Sequence, residues 1–210
     1  RITLETVAGE TPASSAIVLI FILSFSMFSV PFPKFYLHSN ISHFILLPDV
    51  LHLTFFTTRL RDNNGVTIGE ELWRDIYKPF YKQFFQGWRS ITNMKINLHS
   101  CGSIASILGD LIECGVQIVN PVRTSAAGMS AEALKQRFGK DVVFWGGGYD
   151  AQLIDTSSSY GDVYRNVYKN VKILGSGGNY IFAGVHNLPA NMPEHHLKAM
   201  LDAYRDARDY

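Results

Sequence analysis

The sequence predicts an α/β fold in which a parallel β-sheet is covered by helices. Three observations carry that prediction. Four short, largely apolar and β-branched runs, at 94–98, 116–119, 142–145 and 180–185, read as strands of a parallel sheet covered by helices. Each is followed by an amphipathic segment, at 103–113, 130–138, 160–174 and 194–210, so strand and helix alternate along the chain. Polar residues able to do chemistry fall directly after each run, at the edge where parallel α/β sheets build their sites.

Ahead of these four units, GEELWRDIYKPFYKQFF sets Leu72, Ile76, Phe80 and Phe84 at helical spacing and predicts a helix with those side chains as its apolar face. Pro79 marks a kink or register break in it, because proline lacks an N–H and its ring presses on the carbonyl four residues back. Ser130 reads as an N-cap, and Gly115, Gly139 and Gly175 as helix stops. The tyrosines of 160–174 read as the buried and half-buried stripe of their helix, and Trp73, Trp88 and Trp145 as packing residues. His195 and His196, in the first turn of the last helix, read as exposed. Cys114 reads as a core residue at a helix end. A helix of about eleven residues, roughly 16 Å long, separates it from Cys101, whereas a disulfide needs Cα atoms within about 7 Å.

At 210 residues, 47% hydrophobic and 18% charged, the chain can bury one sizeable core. A net charge of +1 with no basic run leaves no electrostatic footprint for nucleic acid and excludes that class of partner. Two cysteines form no secreted disulfide framework; a metal or catalytic use in a reducing, cytoplasmic compartment is the expectation. The first 60 residues hold only six charged side chains and 11–33 holds none, so 1–60 reads as an atypical apolar segment of uncertain nature and 62–210 as the regular α/β domain. Within it AIVLIFILSFSMFSV falls short of the roughly 20 residues that span a bilayer, and Glu5 and Glu10 precede it where a signal peptide carries basic residues. Membrane contact by 13–32 is therefore less favoured than a buried helix or sequence foreign to the domain. A chain that opens on arginine reads as a piece of a longer one.

His99 and Cys101 follow the first run, Asn120 and Arg123 the second, Gly146 to Asp150 the third, and His186 and Asn187 the fourth. Residues two apart on a strand point to the same side, so the imidazole and thiol can meet. With His186 as third ligand they would hold zinc and leave a fourth position open, as a catalytic zinc needs. The alternative is a small buried cysteine beside a hydrogen-bonded histidine with no metal. Asn120, Arg123, Gly147, Asp150 and Asn187 are the candidates for binding substrate: Arg123 and Asn120 for an anionic group, and the glycines because they let backbone and ligand approach closely.

HSCGSI, then ECGVQIVNPVRTSAAGMSAEALKQRFGKDVVFWGGGYDAQ, then GSGGNYIFAGVHNLPANMPEHHLKAMLDAYRDA, together with the preceding NNGVTIGEELWRDIYKPFYKQ, resemble the C-terminal half of the uroporphyrinogen decarboxylase superfamily. Its branches are the haem-pathway decarboxylases and the corrinoid-linked methyltransferases. The resemblance implies a (β/α)8 TIM-type barrel, of which this chain carries about four βα units. For the methyltransferase branch it implies zinc on His99 and Cys101, with His186 standing where a cysteine is usual. That zinc would bind a thiol substrate as thiolate, to take a methyl group from a corrinoid on a partner protein. For the decarboxylase branch it implies a metal-free site acting on acetate side chains of a tetrapyrrole, with His186 as the catalytic proton-transfer or carboxylate-binding residue. The His-x-Cys pair, with GGGYD and NPVR in place of the decarboxylase patterns, tilts the expectation to methyl transfer. A decarboxylase and an inactive fragment are the alternatives.

Overall fold

The computed structural model describes residues 41–47, 50–55 and 63–209, the first two stretches by backbone alone. The charge-free stretch 11–33, with the membrane reading of 13–32, lies outside the described residues. Among those described, no helix is long and apolar enough to cross a membrane.

Strands β1 (Ile41–Leu47) and β2 (Val50–Phe55) pair antiparallel. β2 then runs parallel to β3 (Lys95–His99), followed in order by β4 (Ile118–Asn120), β5 (Val143–Trp145) and β6 (Tyr180–Ile181). Helices α3 (Leu108–Cys114), α4 (Ala131–Phe138) and α5 (Tyr160–Gly175) make the crossovers between β3 and β6, and α6 (Glu194–Ala207) follows β6. The α/β class is borne out. Parallel strands added in one direction, with right-handed crossovers, put every crossover helix on one face, the arrangement of an arc of a (β/α)8 barrel. The sheet also reaches further back than the four units legible in the sequence, into the charge-poor segment.

Alternation decides what each strand offers. Ile96, Leu98, Val119 and Phe144 pack with Leu108, Leu111, Leu134 and Leu174 in the main core. The intervening positions, among them Asn97, His99, Asn120 and Trp145, therefore belong to the opposite face. Register aligns His99 with Asn120 on adjacent strands. Ser130 caps α4 through its Oγ, which accepts from the Ala133 N–H, and Gly115 ends α3 at φ 119°. Cys114, the last residue of α3, is buried.

Several expectations need correction. The helix expected from Ser103 starts only at Leu108, because the Ser103 hydroxyl donates instead to the Ala127 carbonyl at 2.7 Å, tying that stretch to the neighbouring loop. The run 180–185 is a ladder only over Tyr180–Ile181; pairing with the β5 chain resumes at Gly184 opposite Tyr149. In the first helical stretch, α1 (Glu70–Leu72) and α2 (Lys78–Ile91) are joined by a π-helical turn, Trp73–Tyr77, closed by the Lys78 N–H on the Trp73 carbonyl. A wide turn accommodates the Pro79 ring and rotates the apolar stripe by about one residue. Trp73 and Phe85 are thus buried, while Leu72 and Ile76 are 48% and 46% exposed. The buried stripe of α5 is Val163, Val167 and Val171, packed on Ala199, Met200 and Ala203 of α6; Tyr160 is exposed and Tyr164 and Tyr168 half-buried.

His196 is fully buried, not exposed. Its Nε2 lies 2.9 Å from the Ser158 carbonyl and must donate to it. That leaves Nδ1 as the acceptor for the Tyr149 hydroxyl at 3.3 Å. His195 is exposed, as expected.

Candidate functional site

At the C-terminal edge of β3 and β4, backbone pairing continues one residue past the strand, with the Ser100 N–H donating to the Asn120 carbonyl at 2.7 Å. This extension keeps Cys101 on the side of His99, and Cys101 Sγ stands 3.4 Å from His99 Nε2. The other ring nitrogen, Nδ1, lies 2.8 Å from Asn120 Oδ1. Asn120 is oriented in turn by its own amide, whose Nδ2 donates to the Trp145 carbonyl at 3.2 Å. Because Nδ2 must face a carbonyl, Oδ1 faces the imidazole, and Nδ1 must carry the proton. Nε2 then presents its lone pair toward the thiol in the neutral ring. Such an anchored imidazole is the usual support of a metal-binding histidine.

The donor chemistry suits zinc. Two ligands at about 2.3 Å for sulfur and about 2.0 Å for nitrogen, in tetrahedral geometry, stand roughly 3.5 Å apart, close to the separation of Cys101 and His99. His186 is not brought to them: among the described residues no three His, Cys, Asp or Glu side chains form a group that could hold a metal ion. Three strand spacings separate β3 from β6, roughly 14 Å at about 4.8 Å each, which accounts for the gap.

His186 belongs to a second group. Beyond Trp145 the chain turns through Gly146 and Gly147, at φ 110° and 78°. It then runs alongside the segment after β6, with the Gly148 N–H on the Ala183 carbonyl and the Val185 N–H on the Tyr149 carbonyl. This pairing carries Asp150 and His186 to the same edge. Asp150 is buried, its Oδ2 accepting from the Ser125 hydroxyl at 2.7 Å and its Oδ1 from the Gln152 N–H at 3.0 Å. Arg123 is also buried and donates through Nη1 to Asn63 Oδ1 at 2.8 Å. The His186 side chain is exposed overall, yet partial desolvation of the ring, then the Arg123 charge, lower its pKa, with Asp150 opposing. The imidazole is therefore neutral near pH 7, a state suited to taking a proton.

The substrate-binding candidates sort unevenly. Asn120 engages both ends of its amide in holding His99. Gly147 is a backbone corner, where a Cβ would meet the Val122 carbonyl at 3.0 Å, and its own carbonyl accepts from buried Asn170. Asn187 is exposed. Asn63, Ser125 and Asn170 escape a reading from sequence, since each acts only through a partner from 23 to 60 residues away.

The family model described as uroporphyrinogen decarboxylase (URO-D) matches residues 58–207, well over half of the chain. The chain belongs to the uroporphyrinogen decarboxylase family. Among solved structures, this family member is similar to a methyltransferase from Methanosarcina mazei, at 19% identity and a TM-score of 0.47, over 64% of this chain and 36% of that one. It thus spans about a third of that protein's length. No curated protein matches it. In this URO-D chain, HSCGSI, NPVR, GGGYD and VHN all lie at one edge of the sheet, the edge that carries His99, Arg123, Asp150 and His186.

Proposed function

We propose that this strand-end site binds zinc through His99 and Cys101, and that the enzyme to which the chain contributes transfers a methyl group from a corrinoid, carried on a partner protein, to a thiol. The observation that carries the reading is the 3.4 Å approach of Cys101 Sγ to the lone-pair nitrogen of an imidazole anchored by Asn120. When bound, zinc would supply the positive charge that lets a thiol bind as thiolate at neutral pH. The chain's own residues do the rest. His99 and Cys101 are held at ligand spacing before any metal arrives, Asn120 and the Trp145 carbonyl fix the tautomer, and the proton that the thiol gives up passes to solvent. His186, three strand spacings from the pair, is too far to serve as third ligand or as direct acceptor of that proton. A cytoplasmic, reducing setting goes with a Cys101 that forms no disulfide.

The test is zinc titration of the chain at pH 7 against a chromophoric chelator. Stoichiometric binding that is lost in His99→Ala and Cys101→Ala is expected; a protein that takes up no zinc would sink the reading. A second reading has its own support: Arg123, buried beside His186, suits an acetate carboxylate of a tetrapyrrole, as a metal-free decarboxylase requires. Turnover that survives chelation and is abolished by His186→Ala would favour it over methyl transfer.

A further inference from the structure

Arg123 carries its charge in an unusual setting. Its side chain is about nine-tenths buried, at 9% exposure. Among the described residues its one hydrogen-bond acceptor is the neutral amide oxygen of Asn63, on Nη1, and its Nε is buried with no acceptor at all. No carboxylate of the described residues pairs with it: Asp150, at the same edge of the sheet, is engaged by Ser125 and the Gln152 N–H. Leaving a guanidinium buried without a counter-charge costs several kcal/mol in general, and a fold tolerates it where an anion arrives later. With Nη1 on Asn63 and Nε closed to solvent, Nη2 carries the N–H groups left to meet an arriving carboxylate through a charge-assisted hydrogen bond.

Asn63 explains why the guanidinium is held in place. Its backbone carbonyl accepts from the Ala127 N–H at 2.8 Å while its side chain accepts from Arg123. The stretch before α1 is thereby fastened to both ends of the loop that follows β4. An aspartate at 63 could make the same hydrogen bond, but it would neutralise the guanidinium. Asparagine orients Arg123 and leaves its charge unanswered.

We propose that Asn63 is a positioning residue that holds Arg123 open as the receptor for a carboxylate of the substrate. The proposal rests on reading this strand end as the substrate site and is independent of zinc at His99 and Cys101. A carboxylate bound there lies at the edge shared with His186, whose ring already senses the Arg123 charge.

The test is an NMR titration of the 210-residue chain with sodium acetate, against sodium chloride of equal ionic strength, following the Arg123 Nε–Hε resonance assigned by its loss in Arg123→Lys. A saturable shift with acetate and only a small, linear one with chloride is expected. Asn63→Asp, which sets a carboxylate on the guanidinium while keeping shape and backbone, weakens acetate binding by roughly tenfold or more, as an internal charge-assisted hydrogen bond competes. Asn63→Ala weakens it less, because only the orientation is lost. Equal linear shifts with both salts, or an Asn63→Asp chain that binds acetate as the parent does, overturn the proposal. Thermal unfolding of each variant identifies one that fails to fold, and the parent's titration decides in that case. Zinc uptake measured on the same protein without acetate keeps failure of this proposal distinct from failure of the metal site.

Discussion

Asn120 is the register partner of His99 across β3 and β4, and its Oδ1 receives the His99 Nδ1 proton at 2.8 Å. One side chain thereby sets both the orientation and the tautomer of the imidazole that faces Cys101. Removing it in Asn120→Ala frees the ring to rotate and to exchange tautomers. Zinc affinity is expected to fall about 10–100-fold, the usual loss when a supporting partner of a metal ligand is deleted. Competition with a chelator measures it, and an unchanged affinity would show that the hydrogen bond does not organise the site.

The His186 ring titrates below its ordinary value, because of partial desolvation first and the Arg123 charge second. Its lowered pKa means that the folded chain binds this proton less readily than the unfolded one. The contribution to stability is intact above the ordinary histidine pKa and is lost as pH falls through the lowered value. Arg123→Gln removes the positive charge that lowers it, so the midpoint should rise; Asp150→Asn removes the negative charge that raises it, so it should fall. Following the His186 Cε1–H resonance against pH checks both signs, and a parent midpoint above 6.5 would contradict the geometry.

Gly147 and Gly177 both have positive φ, at 78° and 72°, but only Gly147 is crowded, its added Cβ meeting the Val122 carbonyl at 3.0 Å while none stands within 4 Å at Gly177. Gly177→Ala is expected to cost roughly 1–2 kcal/mol from left-handed backbone alone. Gly147→Ala adds an overpacking penalty of about 1–3 kcal/mol. Urea denaturation of the two variants isolates the difference, and equal midpoints would mean that the Val122 carbonyl moves aside freely.

Ser159 caps α5 in a reciprocal box with Asp162, its Oγ accepting from the Asp162 N–H and the Asp162 carboxylate accepting from the Ser159 N–H. Ser159→Ala should destabilise the chain by about 1 kcal/mol, read as a lower urea midpoint with the slope unchanged. A change in slope instead would point to loss of cooperativity between α5 and the sheet.

The Tyr149 hydroxyl is the donor to buried His196 Nδ1. Tyr149→Phe leaves that nitrogen without a partner in a site closed to solvent, for a loss of about 1 kcal/mol. Hydrogen exchange at the first turn of α6 should accelerate in this variant, since the contact ties α6 to the strand end beside Asp150.

The pattern of runs and amphipathic segments determined the α/β class by itself, because apolar periodicity and helix punctuation at Ser130 and Gly115 are local and need no partner. Placement of His99, Arg123, Asp150 and His186 at strand ends was equally legible, since it follows from where each run stops. What could not be read was the pairing. Register made Asn120 the hydrogen-bond support of His99, and the π-helical turn before Pro79 exchanged Leu72 and Ile76 for Trp73 and Phe85 in the core. Burial of His196 depended on Tyr149 and Ser158, 47 and 38 positions away. Asn63 reached Arg123 across 60 positions. Contacts of this kind arise from how strands align and how loops cross. Only the tertiary structure decides them, because no periodicity within a single segment encodes a hydrogen bond to another.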